Sequence, residues 1–331
     1  ARLLGCTALA CVLFAAVLIS ADRATHWVED LLYQDDIILA ETTPYQRIVV
    51  TRWKDDYRLH LNGHLQFSSR DEYRYHEALV LPALAAAWST GQRDAGLRVL
   101  ILGGGDGLAV RDVLSAQDPS GGRSVAHIDL VDIDPRVVEL FRAVPALREL
   151  NGRSLLDTRV AVHAEDAMNY LRDYRGPRYD VVLMDLPDPS SVETNKLYTD
   201  SFFALALRVL SPRGALTTQA SSPFYARRTF WCVVHTLEAA VRRRAELEGQ
   251  AVETADPNAL AVVPYHVYVP SFGEWGFVLV APGNQVGLDL ELPRQGRYLT
   301  DRTFAQARIF APDMEKVATE INRLDQPVLS R

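Results

Sequence analysis

A run of apolar residues that stops at glycines and an acid constrains this chain more than any other stretch. Residues Leu97–Gly107 read LRVLILGGGDG. The apolar part has the length and side chains of a buried strand, and the glycines after it demand a turn. Such a turn can simply let a strand reverse. It can also be a βα turn whose backbone approaches a nucleoside-type ligand, because Gly103 and Gly105 carry no Cβ. The stretch lacks the Lys-Ser/Thr ending of a phosphate-cradling loop. Val110 also stands where the third glycine of a dinucleotide fingerprint belongs. Asp106 is the unusual member, since a carboxylate there is awkward for a pyrophosphate and welcome for a cation.

After Gly91 the pattern alternates strands and helices, as in a doubly wound parallel sheet. Strands are expected at Arg98–Leu102, Ala126–Val131, Arg159–His163, Asp180–Met184 and Ala215–Gln219. Helices are expected near Leu108–Ala116, Pro135–Val144, Asp166–Tyr174, Thr199–Leu210 and Tyr225–Arg244. Two more strands, near Tyr265–Val269 and Gly276–Ala281, finish the sheet, and Met314–Leu324 reads as partly helical. Ahead of them, Asp71-Glu72 opens a helix to about Trp88, which Pro82 is expected to kink or end early. The fold class is α/β, with a Rossmann-like domain over residues 71–331.

Residues 33–70 differ. IILAE, YQRIVVTRW, YRLHLNG and HLQF are short strands around the hairpin signals Lys54-Asp55-Asp56 and Asn62-Gly63, so a small antiparallel β region is expected. Residues 1–22 hold the apolar run Leu3–Ile19, about 17 residues and roughly 25 Å as a helix. It has no polar face for a core helix. A membrane-spanning hydrophobic helix is therefore expected, with a secretory signal peptide as the competing reading. The chain opens on Ala, which suggests a piece of a longer protein. The expected location is the inner cell membrane, with the catalytic domain on the cytoplasmic face. A net charge of −7 without a basic stripe argues against nucleic acid. Cys6, Cys11 and Cys232 have no zinc spacing, and no metal is expected.

In open parallel sheets, ligands sit at the carboxyl ends of the strands. Here four strands in succession deliver an acid there: Asp106, Asp132 in VDID, Asp166 in AEDA and Asp185 in MDLPDP. One alone could be a helix cap. Four make a site. Asp132, 26 residues past Asp106, suits a carboxylate that accepts both ribose hydroxyls, and Asp166 suits the exocyclic amine of an adenine. That describes an adenosine pocket without a phosphate clamp, as for S-adenosylmethionine. Asp106, Asp185 and Asp188 would repel the carboxylate of the methionine part. The decarboxylated form, which keeps only the amine, fits better.

With these residues the chain resembles the spermidine synthases, the polyamine aminopropyltransferases, from about Thr43 to Ala281. The resemblance is carried by Tyr45-Gln46, Asn62-Gly63 through Gln66, Asp71-Glu72 with Tyr75-His76-Glu77, and GGGDG at 103–107. It continues in VDID at 131–134, Asp166, Asp185 with Asp188-Pro189, Gln219, and PSFGEWGF at 270–277. A hydrophobic N-terminus is similar to the membrane-associated bacterial subgroup. The resemblance implies a transferase-type Rossmann-like sheet behind the small β region. It implies that Gln46, Gln66 and His76 line the nucleoside pocket, and that Asp106 and Asp185 face the aminopropyl amine. Asp132 would hold the ribose and Asp166 the adenine. Asp185, assisted by Tyr75, would receive the proton of the attacking amine, with Asp188, Gln219, Phe272 and Trp275 on the acceptor side. A homodimer is implied too.

Four departures stand out. The family's Asp-Ser-Ser-Asp-Pro is here Asp185-Leu186-Pro187-Asp188-Pro189, the aspartate of its Asp-Gly turn is Asn62, and its ribose glutamate is Asp132. Its Pro-Thr-Tyr is Pro270-Ser271-Phe272, which removes a hydroxyl from the acceptor side.

The implied reaction is an in-line displacement, in which a neutral amine attacks the carbon beside the sulfonium and methylthioadenosine leaves. Decarboxylated S-adenosylmethionine is a co-substrate, no bound cofactor is expected, and putrescine is the expected acceptor. Free diamines are protonated at neutral pH, so a carboxylate base is needed, and Asp185 is the candidate. The polar loop Pro187–Lys196 is long enough to close over the acceptor, and Tyr198 and Trp275 are candidate walls of its channel. Two other functions compete. A methyltransferase would need a partner for the donor carboxylate, and no basic residue precedes Arg111 in the glycine turn. A non-catalytic nucleoside- or polyamine-binding protein is left open by Phe272.

Overall fold

The computed structural model describes residues 33, 35–89, 96–118, 124–189, 191–248, 259–287, 290–292 and 296–329. The chain forms two compact units, residues 1–70 and 71–331. The helix expected over Leu3–Ile19 lies outside the described residues. Among the described residues, no helix is long and apolar enough to cross a membrane. The expected inner-membrane location, and the cytoplasmic orientation with it, is withdrawn on that finding.

The described part of the first unit is a four-stranded antiparallel meander: β1 (Asp36–Thr42), β2 (Arg47–Trp53), β3 (Asp56–Leu61) and β4 (His64–Ser68). The turn signals act as read. Trp53 pairs with Asp56 across Lys54-Asp55, and Leu61 pairs with His64 across Asn62-Gly63. Asn62 and Gly63 both have positive φ, as a two-residue hairpin requires. Asp56 is fully buried and accepts hydrogen bonds from Ser68, Ser69 and Arg58, which ties the two hairpins together.

The second unit begins with α1 (Glu72–Trp88), then β5 (Leu97–Gly103), α2 (Leu108–Ser115), β6 (Val125–Asp132), α3 (Pro135–Ala143) and α4 (Pro145–Leu150). It continues with β7 (Val160–Ala164), α5 (Ala167–Asp173), β8 (Tyr179–Asp185), α6 (Val192–Asn195) and α7 (Asp200–Val209). The last elements are β9 (Leu210–Gln219), α8 (Arg227–Leu247), β10 (Leu260–Val269), β11 (Gly273–Pro282) and α9 (Asp301–Ala307). The sheet order is β10-β11-β9-β8-β5-β6-β7. Val99–Leu102 and Val181–Met184 are fully buried, because helices cover both faces of the central strands.

The sheet is mixed, not wholly parallel. β11 runs antiparallel to β9, with Phe277 opposite Gln219, and β10 runs antiparallel to β11. The reversal has a use. It brings the turn 270–272 to the carboxyl end of the parallel strands, where the acids lie.

Two expectations fail for physical reasons that lie far away in sequence. Pro82 does not end α1, which runs through it to Trp88. Proline has no N–H to give the carbonyl four residues back. That carbonyl belongs to Ala78, and the buried Tyr265 hydroxyl donates to it at 2.7 Å. Tyr265→Phe is therefore expected to lose about 1–2 kcal/mol of stability, since it strands a buried carbonyl without changing the packing volume. Urea unfolding of the two proteins measures it, and an unchanged midpoint would show that the carbonyl has another partner.

Met314–Leu324 forms no helix; the helix near the C-terminus is α9, opened by a capping box between Thr300 and Thr303. Side chains on α8 capture the backbone of the later segment. Trp231 donates to the Met314 carbonyl, Cys232 to the Glu320 carbonyl, and the Thr236 hydroxyl accepts from the Asn322 amide. A segment whose peptide groups are taken this way cannot also satisfy a helix.

Candidate active site

Asp106, Asp132 and Asp185 gather at the carboxyl ends of β5, β6 and β8, adjacent strands of the sheet. The glycine turn is what lets them meet. Gly103 and Asp185 are register partners, and a Cβ on Gly103 (φ +79°) would overlap the Asp185 carbonyl oxygen. A Cβ on Gly105 would sit 2.7 Å from Asp132 Oδ2, the atom that accepts the Gly105 N–H at 2.9 Å. These glycines make room for the site's own carboxylates. That function was not visible in the turn itself, because the crowding comes from two other strands.

Each acid is held differently. The Asp106 side chain accepts from the Leu108 amide at the start of α2, and its backbone carbonyl accepts from Asn151. Asp132 accepts from the amides of Gly105 and Asp134, and burial, which outweighs both bonds, pushes its carboxyl up to about 6. Asp185 accepts from the Tyr75 hydroxyl at 2.8 Å, and its other oxygen lies 3.9 Å from His76 Nε2. Burial raises both Asp106 and Asp185 above the ordinary carboxylate range, against the pull of the His76 charge. Burial and the Asp185 charge also push the Tyr75 phenol well up, so Tyr75 remains a donor. A cleft with this much restrained negative charge favours a cationic ligand.

His76 lies one helical turn from Glu72 on α1. Its Nδ1 is 2.8 Å from Glu72 Oε2 and 2.9 Å from the Glu72 carbonyl. Arg111 grips the same carboxylate with both terminal nitrogens, at 2.9 and 3.0 Å, and also contacts Asp112 and the Leu150 carbonyl. The spacing of Glu72 and His76 on one helix face was readable in the sequence. The arrival of Arg111 was not.

The other expected site residues are placed as follows. Asp166 caps α5 by accepting from the amides of Met168 and Asn169, and its second oxygen meets Lys196 Nζ at 2.8 Å. Gln219 is buried, and its amide donates to the Leu186 carbonyl and the Tyr198 hydroxyl while its oxygen accepts from Ser221. Tyr198 is likewise buried and donates to the Pro187 carbonyl. Gln219 and Tyr198 thus support the loop that carries Asp188.

Phe272 packs edge-on to Tyr75 and against Trp275, at ring distances of 6.4 and 5.3 Å. Its turn is anchored by Asp71, which accepts from the amide and hydroxyl of Ser271. A cavity of about 270 Å³ beside Asp132 is lined by Pro135, Val138, Glu139, Arg142, Val162 and Ala164. Gln46 and Gln66 belong to the first unit, where Gln66 donates to the His64 carbonyl.

Comparison with known proteins gives this arrangement a lineage. The profile of the spermine/spermidine synthase domain matches residues 72–286. The chain belongs to that family. Polyamine aminopropyltransferase 2 of Ralstonia nicotianae is 44% identical over 339 residues, covering 100% of this chain and 60% of the relative. The polyamine aminopropyltransferase of Leptospira interrogans is 42% identical over 311 residues, covering 94% of this chain and 56% of the relative. The chain thus spans little more than half the length of these curated relatives.

Among solved structures, the chain resembles a spermidine synthase in complex with the transition-state analogue AdoDATO. The TM-score is 0.67 at 18% identity, over 83% of this chain and 86% of that one. The spermidine synthase from Thermotoga maritima gives a TM-score of 0.66 at 19% identity, over 83% and 85% of the two chains. At such identities the likeness shows the fold: an α/β unit with a mixed central sheet, preceded by a small antiparallel sheet.

Proposed function

We propose that this chain transfers the aminopropyl group of decarboxylated S-adenosylmethionine to a polyamine amine, releasing methylthioadenosine. The observation that carries the reading is the Tyr75–Asp185 hydrogen bond at the centre of a cleft that also holds Asp106 and Asp132. A raised carboxyl beside a phenol donor has the properties of a base that accepts a proton from an ammonium and keeps its geometry while doing so. The names of the family relatives support the same chemistry.

In this reading Asp132 receives the ribose hydroxyls, His76 lines the nucleoside pocket, and Asp106 and Asp185 face the aminopropyl amine. Asp166 faces the adenine amine, with Lys196 as its partner until the donor arrives. Asp188 binds the far ammonium of the acceptor, and Phe272 and Trp275 flank its methylene chain. Putrescine is the proposed acceptor, and a homodimer the proposed assembly. The proposed chemistry is a single displacement, with orientation and proton removal as the protein's contributions.

Arg111 bears on the methyltransferase alternative. Its guanidinium is committed to Glu72, Asp112 and Leu150, so it is a poor partner for a donor carboxylate. The test is to incubate the protein with decarboxylated or intact S-adenosylmethionine together with putrescine, cadaverine or spermidine. Methylthioadenosine is expected from the decarboxylated donor only. S-adenosylhomocysteine from the intact donor would make the chain a methyltransferase, and neither product would leave a binding protein.

A further inference from the structure

A row of charges of alternating sign runs into the site: Arg111, Glu72, His76, Asp185. Arg111 and Glu72 are joined by two hydrogen bonds, Glu72 and His76 by one at 2.8 Å, and His76 Nε2 stands 3.9 Å from Asp185 Oδ2. Glu72 and His76 are each only 3% exposed. Both atoms facing Nδ1, the Glu72 carboxylate and the Glu72 carbonyl, can only accept, so Nδ1 must carry a proton.

We propose that Glu72 is a positioning residue that acts through His76: it holds the ring as an imidazolium with Nε2–H aimed at Asp185, and so sets how basic Asp185 is. The proposal rests on Asp185 being the base of the proposed transfer, but the charge of His76 can be measured without it.

The groups facing His76 come from three elements. Glu72 and the Tyr75 ring, 5.2 Å away, share its helix. Asp106 lies in the turn after β5, and Asp185 at the end of β8. Arg111, from α2, acts on Glu72 and is itself paired to Asp112. Burial opposes a charge on the ring, yet the Glu72 carboxylate, with Asp185 and Asp106 behind it, raises His76 to about 9. Glu72 is able to do this because it stays ionised. Burial works against its charge, but His76 and Arg111 together hold it down at about 2.

The consequence for the site is specific. The His76 charge pulls the Asp185 carboxyl down against the burial that raises it, and so favours the ionised form that can receive the proton of the incoming amine. It also offsets part of the like-charge repulsion between Asp106 and Asp185 before any substrate is bound.

Glu72→Gln separates charge from contact, because the amide oxygen can still accept from Nδ1–H while the negative charge is gone. His76 should then lose its proton near neutrality and stop holding Asp185 down. The acid limb of the kcat/KM profile should move to higher pH by about one unit. A role confined to packing would lower activity at every pH and leave the limb in place. His76→Gln gives a second reading with the Arg111–Glu72 pair intact, and the same upward shift is expected.

Wild-type protein with carbon- and nitrogen-labelled histidine supplies the independent measurement. The His76 ring is expected to show imidazolium shifts through pH 8. A neutral ring at pH 7 overturns the proposal whatever the activity. So does an acid limb that stays put in both variants. If no methylthioadenosine forms, the function is refuted, and the ring titration still decides the charge.

Discussion

Asp185→Asn is expected to lower kcat by roughly 10²- to 10⁴-fold, the range that a positioned general base supplies. The substitution is nearly isosteric. Asparagine can still accept from the Tyr75 hydroxyl through Oδ1, so the 2.8 Å bond and the ring position survive. What it lacks is the ability to take a proton from an ammonium. Donor affinity should change by less than the rate, because Asp106, the other proposed partner of the donor amine, remains. Single-turnover formation of methylthioadenosine, with donor affinity from calorimetry, separates the two effects. Near-normal turnover with weakened binding would make Asp185 an ammonium ligand and not the base.

Gly103→Ala carries the largest expected effect on stability, at least about 3 kcal/mol. Two penalties act together. The residue sits at φ +79°, and its Cβ would overlap the Asp185 carbonyl oxygen on the neighbouring strand. Gly63→Ala supplies the control within the same chain. Its φ is +81°, nearly the same, but its Cβ would meet nothing within 4 Å. That change should cost only about 1–2 kcal/mol of backbone strain. The difference between the two melting temperatures isolates the interstrand clash. Equal shifts would mean that β8 yields to the extra atom, and that the turn does not set the position of Asp185.

Much of the α/β unit could be read in advance because its signals are local. Strands such as Val99–Leu102 are buried on both faces, and so their sequences are unbroken apolar runs. Asp106, Asp132 and Asp185 stood out because each ends a strand, and strand ends in such sheets face the ligand. The partners of those acids were harder. Gly103 reads as room for a ligand until β8 is laid beside β5. Gln219 reads as a substrate contact until the Leu186 carbonyl, Tyr198 and Ser221 are found around its amide. Asp166 gave no hint that Lys196 would reach it from the end of the polar loop after β8. Pro82 is rescued by Tyr265, and Met314–Leu324 is unwound by α8. In each case the deciding contact is non-local, and a pattern read along the chain does not contain it.

The buried Asn322 has a practical bearing on how this protein can be cut and joined. Its amide nitrogen donates to Asn195 and to the Tyr198 carbonyl, its own carbonyl accepts from Asp200, and its side-chain oxygen accepts from Val328. One residue therefore clasps the segment 195–200, which follows the loop carrying Asp188. Trimming the chain back past Asn322, or crowding it with a fusion partner, would loosen Tyr198 and with it the Pro187 carbonyl that its hydroxyl holds. For anyone engineering this protein, the segment around Asn322 is the wrong place to cut.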